Sequence, residues 1–173
     1  MFRKSLFLLA IPIAVLFVSC QSNQQNEMAA KYKADYRAVI NIMDNGNVDG
    51  LDAYIAEDAV EHQTDSSITT KTGLEGIKDI FRYYHKIFPD LKTDIHSIAV
   101  SGDTLFAYLS QTGTTSEPFM GMPAGQQTTM NSVDLIVFKD NKMQEHWGFI
   151  DSNEVTNMMK MMQEKSAMEM KKK

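Results

Sequence analysis

The sequence predicts an α+β domain in which amphipathic helices pack on one face of a curved antiparallel sheet. Two observations support this prediction. Apolar residues recur at helical spacing up to Phe88, and the period changes to two after Pro89. Proline marks the change because it cannot donate a hydrogen bond into a helix and restricts the residue before it. We expect one domain over residues 29–152, since this stretch contains no internal repeat and no long linker.

Helices are predicted in the first half of the chain. The first ends at Asn45-Gly46, a strong stop signal, and the third spans Leu74–Phe88 with a clear apolar stripe. A short second helix is expected near Leu51, and residues 59–63 predict a brief strand. The face of the first helix that we expect to be buried comprises Tyr32, Tyr36, Val39, Ile40 and Met43.

Four longer strands follow these helices. The turns of residues 101–103 and 140–141 are short and rich in Gly, Asp and Asn, so neighbouring strands should pair antiparallel. About three helices on a four-stranded meander form a cone, and its wide end is the expected ligand cavity. The predicted strands are Leu91–Val100, Thr104–Thr114, Gln127–Lys139 and Lys142–Asp151.

Residues 1–19 predict a lipoprotein signal peptide. Arg3 and Lys4 precede an uncharged apolar run over residues 6–18, which is shorter than the roughly 20 residues that span a bilayer. Cys20, the only cysteine, follows where cleavage is expected, and we predict that it is acylated. Two or three acyl chains anchor a protein stably, so we expect a lipid-anchored protein of the cell envelope, periplasmic or surface-facing. An ordinary secretory signal with a coincidental cysteine is the alternative.

Residues 20–28 are predicted as the acylated cysteine and a flexible polar tether. The formal net charge of the printed chain is −5, and loss of Arg3 and Lys4 with the signal makes it more negative. An acidic chain whose only basic cluster is its last three lysines argues against a nucleic-acid partner. The expected partners are therefore a membrane, reached through Cys20, and a small-molecule ligand.

Motifs between residues 88 and 151 resemble the SnoaL-like polyketide cyclase family, a branch of the nuclear transport factor 2-like superfamily. These motifs are FPDLKTDI, the strand end at Gly113-Thr114, the loop FMGMPAGQQ, VDLIVF and EHWGFID. The similarity spans about 125 residues in its order of helices and strands. It implies a nuclear transport factor 2-like cone with a C-terminal helix. The chain departs from the family at Thr115, where a histidine is common, and in the loop of residues 121–126, where a lysine is common.

Asp151 and His62 are the predicted catalytic residues. Alternation along the last strand places Asp151 on the face of Trp147 and Phe149, and we expect that larger, more apolar face to point inward. The resemblance implies a general acid/base aspartate at this strand end, and partial desolvation by the rings would make it a better base. Capping of the following helix is the alternative for Asp151. His62 would line the cavity, as in family members, or serve a hydrogen-bonded structural role.

Seven side chains are predicted to line the ligand pocket. Asp134 shares a face of its strand with Ile136 and Phe138, so it supports a pocket network or faces water. Two tyrosines of the first helix could direct hydroxyls into the cavity or pack in the core. The loop after the second long strand is apolar and would form a lid. The seven residues are Tyr32, Tyr36, Phe119, Met122, Asp134, Trp147 and Phe149.

No metal and no cofactor are predicted. The four histidines show no HxH or HExxH spacing, and the chain has no GxSxG, Walker or GxGxxG motif. Two functions stay open: binding of a small, largely apolar molecule, or acid/base chemistry of the ester cyclase or isomerase type with Asp151 as general base. Pairing of the outer sheet faces, common in this superfamily, would give a homodimer.

Residues 153–173 are predicted as a Met-rich C-terminal helix or tail. They contain six of the 13 methionines, and helical spacing brings Met158, Met161 and Met162 near one face. This face would pack on the sheet or on a second subunit. Binding of copper(I) by clustered thioethers is the alternative.

Overall fold

The computed structural model describes residues 11–170. The basic residues Arg3 and Lys4 of the predicted signal peptide, and the three terminal lysines, lie outside this range. The elements are α1 (Ile11–Asn45), a 3-10 turn (Val48–Ala53), β1 (Ile55–Glu61), α2 (Gly73–Ile87), β2 (Lys92–Ser101), β3 (Thr104–Thr114), β4 (Gln127–Lys139), β5 (Lys142–Ile150) and α3 (Ser152–Met170).

The five strands form one sheet in the order β1-β5-β4-β3-β2. Strands β2 to β5 form the predicted antiparallel meander. β1 extends the sheet beside β5 and runs parallel to it. The predicted α+β class is therefore confirmed. The short second helix is a 3-10 turn, and the brief strand predicted at 59–63 begins already at Ile55.

Helix α1 packs its predicted face against the concave side of the sheet. All five residues of that face are buried, and each contributes roughly 1.5–3 kcal/mol by leaving water. The helix ends as predicted at Asn45, because Gly46 adopts a left-handed φ of 68°. A side chain at Gly46 would also collide with the imidazole ring of His85. Both conditions require glycine at this position.

The segment predicted as a flexible tether is helical, because α1 runs without a break from Ile11 to Asn45. Pro12 occupies the first turn, where its missing N–H costs no hydrogen bond, and no further proline or glycine interrupts the helix. Glutamine, glutamate and methionine in residues 21–28 are good helix formers. Between residues 11 and 170, no helix is both long and apolar enough to cross a membrane.

Helix α3 packs at the far end of α2 rather than on the open sheet face. Met161 contacts a small buried cluster of Ile87, Phe88 and Met122, which is separate from the main core between the helices and the sheet. Glu154 accepts hydrogen bonds from Asn131 at 2.7 to 3.0 Å and ties the helix to β4. Part of the Met-rich segment therefore serves packing.

Candidate functional site

A bulge in β5 decides which side chains enter the cavity. The hairpin begins with Lys139 opposite Lys142, and a regular ladder from there would place Asp134 opposite Trp147. The register shifts at Gln144, which is the additional residue of the bulge. Asp134 consequently lies opposite Gly148. A shift of one residue moves every later side chain of the strand to the other face.

The inward placement of Trp147 and Phe149 was therefore wrong. His146, Gly148 and Ile150 line the cavity instead. The side chain of Phe149 is 55% exposed on the opposite face of the sheet. Alternation gave the wrong face because it assumed an unbroken strand, and nothing in the local sequence marks Gln144 as a bulge.

A cavity of about 200 Å³ lies between α1, α2 and the concave face of the sheet. Ile150 lines the cavity and is 43% exposed. Most of the cavity wall is apolar, as expected for a small-molecule site. The apolar residues that the helices add to the wall include Val39, Ile40 and Met43 of α1 and Ile77, Ile80 and Phe81 of α2.

Four polar residues meet on one side of this apolar wall, and we call them the polar cluster: Tyr36, Glu61, Asp134 and His146. The hydroxyl of Tyr36 donates a hydrogen bond to Asp134 Oδ2 at 2.7 Å. His146 Nδ1 lies 2.6 Å from Glu61 Oε2, and His146 Nε2 lies 3.7 Å from Asp134 Oδ1. The four residues come from α1, β1, β4 and β5, so only the folded sheet brings them together.

The carboxylates of the polar cluster keep His146 charged. Burial alone would lower the pKa of His146, but the nearby carboxylates of Asp134 and Glu61 outweigh this effect and raise that pKa to about 10. The imidazole is therefore protonated at neutral pH. Burial, together with the charge of Asp134, raises the pKa of Tyr36 well above its usual range, so its hydroxyl stays a donor.

The two predicted catalytic residues lie outside the cavity wall. Asp151 is exposed, and its Oδ1 accepts a hydrogen bond from the backbone N–H of Asn153 at 2.7 Å, which caps α3. His62 stacks on Trp147 with ring centroids 3.9 Å apart and pairs with Glu145 at 3.0 Å. Asp151 therefore has the alternative role of a helix cap, and His62 has the alternative role of a hydrogen-bonded structural residue.

Of the seven predicted pocket residues, Tyr36 and Asp134 line the cavity. The prediction of Tyr32 as a pocket residue was wrong. Its ring stacks on that of Phe138 within the core, with the ring centroids 3.8 Å apart.

The predicted lid residues Phe119 and Met122 are also absent from the wall. They pack with Phe88 over the end of α2. A hydrogen bond from Thr115 Oγ1 to the carbonyl of Pro123, 2.7 Å long, holds their loop in this position.

Sequence reasoning missed His146 and Glu61. The one available signal was Asp134, a carboxylate on an otherwise apolar strand face, which required a partner if buried. The partner was hidden because the bulge reversed the face of His146, and because Glu61 joins the sheet from a distant part of the chain. Within residues 11–170, no group of three or more His, Cys, Asp or Glu side chains is arranged to hold a metal ion.

Comparison with protein families agrees with this architecture. The SnoaL-like polyketide cyclase family matches residues 33–157. The chain belongs to this family. Among curated proteins no match was found.

Solved structures share the SnoaL-like fold at low sequence identity. TsrD from Streptomyces laurentii is 20% identical with a TM-score of 0.63, and the match covers 70% of this chain and 89% of TsrD. IdmH from Streptomyces antibioticus is 24% identical with a TM-score of 0.62, covering 74% and 97%. A SnoaL-like polyketide cyclase from Agrobacterium tumefaciens is 18% identical with a TM-score of 0.62, also covering 74% and 97%. At these identities the likeness concerns the fold alone.

Proposed function

We propose that this SnoaL-like domain binds a small, largely apolar molecule in the cavity, oriented by the polar cluster. The observation that carries the proposal is a mostly apolar wall that includes the polar cluster around His146. Such a wall supplies affinity, and a few placed polar groups supply orientation. The volume of about 200 Å³ is below the roughly 300–1,000 Å³ of sites for drug-sized ligands, which favours a compact molecule.

Native mass spectrometry tests this proposal. The chain carrying Cys20→Ala, purified under mild conditions, should retain a small molecule that denaturation releases. Ser132 lines the cavity on β4, so Ser132→Phe should fill the space and abolish the adduct. Ser97→Phe is the matched control, because Ser97 is an exposed strand residue outside the wall. Equal adduct in all three proteins would refute binding in the cavity.

Acid/base catalysis is the second candidate, favoured by the charged His146 beside Asp134. Asp134 would accept a proton from the carbon next to a substrate carbonyl, and His146 Nε2–H would stabilise the enolate oxygen. Asp134 replaces Asp151 in the role of general base because Asp134 lines the cavity. Deuterium incorporation into small ketones in D₂O, followed by NMR, should occur with the wild type and stop in Asp134→Asn.

We propose that acylated Cys20 anchors the domain to a membrane of the cell envelope. The basic pair at Arg3 and Lys4, the apolar run and the position of the single cysteine support this proposal. Membrane fractionation should find the wild type with lipids and Cys20→Ala released, and globomycin should block processing. Unchanged attachment of the variant would contradict acylation at this residue.

We propose that a second copy of the chain covers the outer sheet face, defined by Phe106, Tyr108, Val133, Trp147 and Phe149. Tyr108, Val133 and Phe149 form one cross-strand row, and Leu135 joins Phe106 to Trp147 in a second row. Four of the five residues are 38–55% exposed. Exposed apolar patches of this kind mark interfaces, and a twofold axis lets one patch cover itself. Light scattering should find a dimer that Phe149→Glu dissociates. Met159→Glu on α3 is the control.

A further inference from the structure

The polar cluster leaves one donor and one acceptor available to a ligand. His146 Nδ1 and Asp134 Oδ2 each have a close partner, at 2.6 and 2.7 Å. Their second atoms, His146 Nε2 and Asp134 Oδ1, face each other at 3.7 Å, which is beyond hydrogen-bond distance. Neither atom has another hydrogen-bond partner among the described residues, and both side chains line the cavity.

The charges around this gap disfavour anions. No lysine or arginine lines the cavity, and the single imidazolium of His146 faces two carboxylates, Glu61 and Asp134. An entering carboxylate would lose its hydration and meet a cluster whose net charge is already negative. A site of this kind discriminates by repulsion as well as by attraction.

Building on the binding function proposed above, we propose that the cavity selects a small neutral molecule with a hydroxyl group, such as an alcohol, phenol or enol. Its oxygen accepts a hydrogen bond from His146 Nε2–H and donates one to Asp134 Oδ1. A hydroxyl performs both tasks with one atom, whereas an ether or ketone oxygen only accepts. The apolar wall surrounds the remainder of the ligand.

Four probes of similar shape test the selection: 4-ethylphenol, its methyl ether 4-ethylanisole, ethylbenzene and 4-ethylbenzoate. Isothermal titration at pH 7 uses the full chain carrying Cys20→Ala. Two hydrogen bonds to charged groups should make 4-ethylphenol bind at least about tenfold more tightly than ethylbenzene. The ether should bind more weakly than the phenol because it cannot donate a hydrogen bond to Asp134. The benzoate should bind most weakly of the four.

The variant Asp134→Asn tests whether the preference for a hydroxyl group depends on the Asp134 carboxylate. It removes one negative charge and keeps the shape, so the preference for 4-ethylphenol should shrink severalfold and 4-ethylbenzoate should gain affinity. Asp94→Asn is the matched control, because Asp94 is an exposed strand carboxylate outside the cavity wall. If Asp134→Asn does not fold, the ether-to-phenol comparison on the unaltered cavity still tests the donated hydrogen bond.

The outcomes separate the two proposals. Hydroxyl selection would be overturned if ethylbenzene binds and the ether or the benzoate binds as tightly as 4-ethylphenol or more tightly. That result would leave the binding function standing. Absence of binding by all four probes would overturn the binding function itself.

Discussion

The two faces of the sheet carry similar residue types but use them differently. On the concave face, His146 pairs with Glu61 and Asp134 inside an apolar cavity, and its pKa rises to about 10. On the outer face, His62 pairs with Glu145 and stacks on Trp147 in contact with water. A histidine–carboxylate pair therefore does not identify a functional site by itself. Enclosure by an apolar wall is what makes the His146 pair the candidate site.

The largest expected difference between the faces is in stability. His146→Gln leaves two carboxylates without their cation and should lower the free energy of unfolding by about 2–3 kcal/mol. His62→Gln removes a solvent-exposed pair and should cost less than about 1 kcal/mol. Urea denaturation at pH 6.5 compares the variants. Equal losses would show that enclosure of His146 contributes nothing.

The charge of His146 should make the stability of the concave face depend on pH. Because the folded-state pKa of His146 is raised from 6.5 to about 10, its stabilisation is complete below pH 6.5 and is lost as the pH rises towards 10. The stability difference between wild type and His146→Gln should therefore shrink over this window. Denaturation curves from pH 6.5 to 10 measure it, and a constant difference would contradict a charged His146.

The two buried tyrosines of α1 offer a smaller, matched comparison. Tyr36→Phe removes the hydrogen bond to Asp134 and should cost about 1 kcal/mol. Tyr32→Phe keeps the ring that stacks on Phe138, so its cost should be close to zero. Thermal and urea unfolding of both variants test whether the hydroxyl or the ring matters at each position. A larger loss at Tyr32 would contradict the assignment of Tyr36 to the cavity.

The smallest effect is expected at Asp151. Asparagine caps a helix about as well as aspartate, so Asp151→Asn should change the free energy of unfolding by less than about 0.5 kcal/mol. It should also leave binding of 4-ethylphenol unchanged, since Asp151 is outside the cavity wall. Loss of binding in this variant would show that Asp151 takes part in ligand binding.

The elements and their ends follow from local sequence. The helix stop at Asn45-Gly46 and the strands Thr104–Thr114 and Gln127–Lys139 were predicted with the bounds that the structure shows. These features depend on short-range chemistry, namely left-handed glycine, tight turns and the period of apolar residues. The family motifs added the order of elements and the expectation of a cavity.

The composition of the site depended on tertiary structure. Tyr36 and Asp134 were predicted as pocket residues, but their partners were not, because one bulged residue at Gln144 turns His146 inward and Trp147 outward. β1 then adds Glu61 by parallel pairing with β5, a contact between residues far apart in the chain. Local patterns fix which residues form strands. Strand register and strand pairing depend on how much apolar surface the whole sheet buries. They are therefore fixed only when the sheet is assembled.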